Sequence, residues 1–154
     1  RGQRRPRGRL VQVAIGSSVD RGKVGAAASR LGLAKDAVVQ VVGWDDDCDE
    51  EFLAQVKELV AELIVGDASD VVDGVLVWWR DDDSDLADGL LDALAMLADD
   101  GVVWLFTPRP GRPGHMSGSE VKEAVQVAGL QVTSSISVGA DWQATRLMAP
   151  KSGR

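Results

Sequence analysis

Two unbroken apolar runs of five residues, Val75-Leu76-Val77-Trp78-Trp79 and Val102-Val103-Trp104-Leu105-Phe106, constrain this chain more than any other feature. A strand with one solvated face alternates apolar and polar side chains, so continuous runs rich in β-branched and aromatic residues describe strands covered on both faces. Between them Leu86, Leu90, Leu91, Leu94 and Leu97 recur at helical spacing, and Asp99-Asp100-Gly101 reads as the turn back into the sheet. Strand, helix, strand in that order implies a right-handed parallel crossover. Trp78 and Trp79 then point to opposite faces, and Trp104 joins one of the two layers.

The flanking segments continue the alternation. An Ala-rich helix over 23–31 stops at Gly32, and Val38 to Val42 forms a short β-branched strand. Phe52, Val56, Leu59, Val60, Leu63 and Ile64 follow at spacings of 4, 3, 1, 3 and 1, the stripe of one amphipathic helix closed by Gly66. Thr107 to Gly118 holds three prolines and three glycines in twelve residues and is a loop, after which Ser117-x-x-Glu120 offers a capping box for a helix ending near Gly129. Leu130 to Val138 and Gln143 to Ala149, separated by Gly139-Ala140-Asp141-Trp142, read as a hairpin closing one edge of the sheet.

The net charge of −7 conceals a strong asymmetry. Residues 1–35 carry nine basic and one acidic side chain, residues 36–105 two and twenty, and residues 106–154 six and three. So acidic a centre repels polyanions, and nucleic acid could approach only through the Arg-rich start, Arg1 to Arg9. The longest apolar stretches are far shorter than the ~20 residues of a membrane span, which predicts no membrane association. With a lone cysteine, Cys48, and no apolar signal segment, the expected compartment is the cytoplasm.

The organisation resembles a shortened class I methyltransferase sheet, with a helix before the first strand and a terminal antiparallel hairpin. More specifically, Val42-Gly43-Trp44-Asp45-Asp46-Asp47, Val77-Trp78-Trp79-Arg80-Asp81-Asp82-Asp83 and Thr133-Ser134-Ser135-Ile136-Ser137 are similar to signature stretches of DUF3052, an actinobacterial family of unknown function. The resemblance implies an α/β fold, a three-layer Rossmann-like sheet of about five strands, mostly parallel, with a C-terminal antiparallel hairpin. A single domain is expected over residues 17–151, preceded by a basic tail over 1–16 that includes a short strand at 10–15, and followed by a tail over 152–154. The family carries no activity that could be transferred.

In open α/β sheets ligands bind beyond the carboxyl ends of the strands, which directs attention to residues 43–51, 80–85 and 107–117. A phosphate-cradling first turn would need G-x-G-x-x-G, whereas Gly43 is followed by Trp44 and three aspartates. These carboxylates would repel a pyrophosphate or the carboxylate of S-adenosylmethionine, so neither cofactor is expected. The candidate binding edge comprises Trp44, Asp45, Asp46, Asp47, Arg80, Asp81, Asp82, Asp83, His115 and Trp142, and no residue is assigned a catalytic role. Its bland reading is helix capping: Asp or Glu just before a helix satisfies free N–H groups and favours the positive end of the dipole. Two functional readings compete with it. One is a non-catalytic interaction or regulatory module whose acidic edge docks a basic protein segment. The other is an enzyme or small-ligand-binding protein in which Asp45, Asp47, Asp81 and Asp83 hold a divalent cation and His115 transfers protons. Trp44 and Trp142, at strand ends or turns, either anchor a partner or cap the core. Cys48 sits among acids that raise a thiol's pKa, which disfavours nucleophilic chemistry.

Overall fold

The computed structural model describes residues 28–148 except residue 84, and the expected tails, the 10–15 strand and most of the helix over 23–31 lie outside that range. Ala28 to Arg30 form the last turn of a helix. The elements that follow are β1 (Val38–Val42), α1 (Glu50–Leu59), β2 (Glu62–Val65), β3 (Val72–Trp78), α2 (Leu86–Leu94), β4 (Leu97–Pro108), α3 (Gly118–Val127), β5 (Gln131–Val138) and β6 (Trp142–Met148). They build one six-stranded sheet in the order β2-β1-β3-β4-β6-β5. The first four strands in that order are parallel, and β6 is antiparallel to both β4 and β5.

Both apolar runs lie in the centre of the sheet, with Leu76 paired to Trp104 and Trp78 to Phe106. Alternation along β3 sends Trp78 into one layer, with Phe52 and Val56 of α1, and Val75 and Val77 into the other, with Leu86 and Leu90 of α2 and Val125 of α3. Trp79, past the end of the strand, packs on the second layer, and Trp104 is buried in the first. Each central strand is thus covered twice, which is why its sequence shows no polar alternation.

Several boundaries differ from the sequence reading, Thr107 and Pro108 belonging to β4 and Trp142 to β6 among them, and the sheet has six strands rather than about five. The apolar stripe from Phe52 to Ile64 is not one helix: α1 ends at Leu59, Val60 turns extended at φ −120° and ψ 168°, and Leu63 and Ile64 belong to β2. There they pair with Val39 and Gln40 of β1. The spacing of these residues satisfies either element, and the open edge of β1 decides for the strand, a tertiary effect that local periodicity cannot report. Likewise Leu97 is not helical and Asp99-Asp100-Gly101 is not the turn: α2 ends at Leu94, and β4 already begins at Leu97. Leu97 pairs with Val72 and Val102 with Gly74, so the segment 98–101 bulges out of β4 opposite the single residue Asp73.

The capping box is present at α3, where the Ser117 hydroxyl accepts from Glu120 N at 3.2 Å and the Glu120 carboxylate accepts from Ser117 N at 3.2 Å. Ser117→Ala should therefore lower unfolding free energy by about 1 kcal/mol, and Ser117→Asp should retain most of it. Urea denaturation followed by circular dichroism measures both, and equal stability of the alanine variant would contradict the assignment.

Candidate functional site

The chain runs from β1 outward to β2 through α1, and from β3 in the opposite direction to β4 through α2. The strand order therefore reverses between β1 and β3, and a sheet of this kind opens its ligand crevice beyond the carboxyl ends of those two strands. That crevice is spanned by the chain's own Arg80, two residues past the end of β3.

The guanidinium has five N–H donors, and each has a partner within the protein. Nε donates to Asp47 Oδ2 at 3.0 Å and Nη2 to Asp47 Oδ1 at 2.5 Å, a two-point grip on one carboxylate. Nη1 donates to the carbonyls of Gly43 at 2.8 Å and Trp78 at 3.2 Å, the last turns of the chain leaving β1 and β3. Nη2 also reaches Cys48 Sγ at 3.1 Å. The plane lies over the ring of Trp142, 5.2 Å from its centroid, and Trp142 Nε1 donates to Asp47 O at 3.1 Å. Asp83 completes the arrangement by accepting from Arg80 N at 2.9 Å, with a looser 3.6 Å approach to Nη1. The Arg80 side chain is 11% exposed against 40% for Asp47. Burial works against its charge, but Asp47, Cys48 and Asp83 together outweigh it and hold Arg80 firmly protonated.

Beneath this arginine lies an aromatic floor. Trp78 stacks on Phe106 at 4.2 Å between centroids, and Trp44 and Trp142 meet it edge-on at 5.4 and 4.9 Å. Such contacts contribute about 0.5–1.5 kcal/mol each beyond area burial. Gly43 belongs to the same construction. Its φ is +81°, and a Cβ would sit 2.2 Å from Trp78 O, so the residue permits the close approach of β1 to β3. This close approach, rather than a phosphate cradle, accounts for a glycine at that position.

The two acidic runs are therefore joined, through Arg80, by one residue from each: Asp47 and Asp83. Asp45, Asp46, Asp81 and Asp82 remain exposed. Asp45 Oδ1 accepts from Asp46 N at 2.8 Å, and Asp45 N donates to Cys48 Sγ at 3.3 Å. Among the described residues no three His, Cys, Asp or Glu side chains group as metal ligands. Asp47, one of the four proposed for a cation, presents both oxygens to the guanidinium. His115 is half-buried in its loop with Nδ1 2.9 Å from Pro108 O, so the ring donates there. Trp142 is 3% exposed and Trp44 is half-buried. Cys48 is buried, and desolvation, helped by Asp47 and only partly offset by Arg80 and the Asp45 amide, pushes its thiol up to about 12. It is a structural acceptor rather than a nucleophile. The capping reading holds at one of these two helices: Asp49 caps α1 by accepting from Phe52 N at 3.0 Å, whereas Asp85 precedes α2 without a side-chain bond.

With this geometry in view, comparison with solved structures defines the class. The fold is that of methyltransferase-like Rossmann proteins. The mitomycin 7-O-methyltransferase MmcR aligns with a TM-score of 0.60 at 16% identity, over 86% of this chain and 55% of that one. A SAM dependent methyltransferase from Aquifex aeolicus aligns at 0.59 and 15%, over 83% of this chain and 90% of that one. Identities this low establish shared architecture alone. The chain belongs to the DUF3052 family, described as a protein of unknown function, whose model matches residues 28–151. Uncharacterised proteins of Mycobacterium tuberculosis and Mycobacterium bovis are each 47% identical to it over 126 residues, 81% of this chain and 79% of theirs. No helix among the described residues is long and apolar enough to cross a membrane.

Two outcomes follow. Arg80→Met removes the two-point grip on Asp47 and the donors to two carbonyls, and should cost about 2–3 kcal/mol, less than a fully buried pair because Asp47 is partly solvated. Arg80→Lys should recover little of this, since an ammonium cannot reproduce the fork. Denaturant titration decides, and a loss below 0.5 kcal/mol, the scale of an ordinary surface change, would contradict the assignment. Asp49 supplies the pH test. Burial, only partly offset by its bond from Phe52 N, raises its pKa above the ordinary 3.8. The folded state thus binds that proton more tightly than the unfolded state, and stability from this group is full below pH 3.8 and declines as pH rises through the folded value. Asp49→Asn keeps the cap acceptor and removes the buried charge, so it should match or exceed wild-type stability at pH 7 and lose that advantage at pH 3. Melting curves at the two pH values measure the difference, and the opposite ordering would refute the burial argument.

Proposed function

We propose that this domain is a non-catalytic interaction or regulatory module whose acidic strand-end edge docks a basic segment of a protein partner. The observation that carries the reading is Arg80: the crevice in which a Rossmann-like sheet would hold a small ligand is bridged by a side chain whose five donors are all engaged internally. What the edge presents outward is carboxylate, from Asp45, Asp46, Asp81 and Asp82. Asp47 and Asp83 set the spacing of the two runs through the arginine that both contact. Exposed charges of one sign on a rigid frame attract a cationic partner, and the attraction weakens as salt screens it.

A fluorescent nona-arginine peptide is a suitable probe. Its affinity should fall steeply with ionic strength and drop at least about tenfold, or 1.4 kcal/mol, in the variant Asp45→Asn/Asp46→Asn/Asp81→Asn/Asp82→Asn. The control Asp36→Asn/Asp92→Asn/Asp99→Asn/Asp100→Asn removes the same charge from exposed positions toward the opposite end of the sheet and should change affinity far less. Equal losses in the two variants would reduce the effect to net charge and dismiss the edge as a docking surface.

A further inference from the structure

Among the described residues the sheet ends in β5, which pairs there with β6 alone and has no other described strand along its outer row of backbone N–H and C=O groups. Such an edge is a template for another strand, and proteins that must stay apart commonly place charge or proline on it. From Gln131 to Val138 β5 carries neither, whereas the opposite edge, β2, is only four residues long and begins with Glu62. A register shift at Val132/Ser134 interrupts the ladder near the start of β5. Beyond it, Ser134 to Val138 pair with Arg146, Thr145, Ala144, Gln143 and Trp142 without interruption, a regular stretch of five residues. Ile136 and Val138 face the core, while Ser135 and Ser137 stand exposed on the other face.

We infer that β5 is a self-association surface, and that a second copy of this chain adds its own β5 antiparallel across a two-fold axis near Ile136. Self-complementarity selects the occupant. In a two-fold contact the residues nearest the axis meet their own kind or a near neighbour, so charge placed there opposes like charge in the copy. β5 meets that condition with hydroxyls, Ser135 of one copy lying opposite Ser137 of the other, where serine pairs can hydrogen-bond across strands. Centring on Ile136 also brings Val132, 52% exposed at the start of the strand, opposite the β5–β6 turn of the second copy. The contact joins two six-stranded sheets into one of twelve and lies along the strand edge, separate from the acidic strand ends.

Sedimentation equilibrium from micromolar to millimolar protein tests this directly. Wild type should sediment as a concentration-dependent dimer. Ser135→Lys/Ser137→Lys and Ser135→Glu/Ser137→Glu should each weaken dimerisation at least about tenfold through like-charge opposition, and an equimolar mixture of the two should restore it. Circular dichroism and melting of each variant establish that the monomer is folded. In wild type, amide exchange in Ser134 to Val138 should slow as concentration rises, a readout that needs no substitution. A wild type that stays monomeric at millimolar concentration, or a dimer indifferent to both charge pairs with no concentration dependence in β5 exchange, overturns the inference.

Discussion

The guanidinium of Arg80 is the constraint on which the carboxyl end of this sheet depends. It grips Asp47, takes the carbonyls that end the paths out of β1 and β3, touches Cys48 and lies over Trp142. These contacts come from three separate stretches of chain, so a single side chain fixes the β1 loop, the β3 end and the start of β6 relative to one another. The opening between β1 and β3 exists because the strand order reverses there, a property of topology rather than of any residue. An internally satisfied arginine spans that opening.

That arrangement explains why the aspartates are tolerated. Six exposed carboxylates at two adjacent strand ends repel one another, and Arg80 offsets this by contacting one from each run, Asp47 and Asp83. Gly43 is the backbone counterpart of the same device, since any Cβ there would collide with the Trp78 carbonyl as β1 approaches β3. Beneath it the stack of Trp78 on Phe106, edged by Trp44 and Trp142, gives the polar bridge a rigid apolar base.

The sequence carried a good part of this. The doubly covered strands were legible because five consecutive apolar residues fit no amphipathic element, the hairpin because turn residues separate two β-prone runs, and the start of α3 because its capping box is local. β2 was not legible: Leu63 and Ile64 continue a helical stripe as well as they form a strand, and only the open edge of β1 distinguishes the two. Leu97 and the bulge at 98–101 escaped for the same reason, the deciding partner being Val72 on another strand. At the site, the aspartates announced their address but not their geometry. The overlooked signal was Arg80 itself, with Lys57 one of only two cations among twenty acids over residues 36–105, placed directly after a buried strand. A lone arginine there has carboxylates on every side to bind, whereas its bonds to Gly43 O and Cys48 Sγ depend on backbone placement that no spacing reveals.

The central claim is that Arg80 closes the crevice from within. Side-chain NMR of protein labelled with 15N-arginine, titrated with S-adenosylmethionine as the cofactor class of the structurally similar Aquifex aeolicus enzyme, tests it most directly. The account predicts slowly exchanging Arg80 guanidinium protons whose shifts stay unchanged to millimolar ligand. Saturable shifts of the Arg80 signals, with faster exchange as the ligand displaces Asp47, would contradict it.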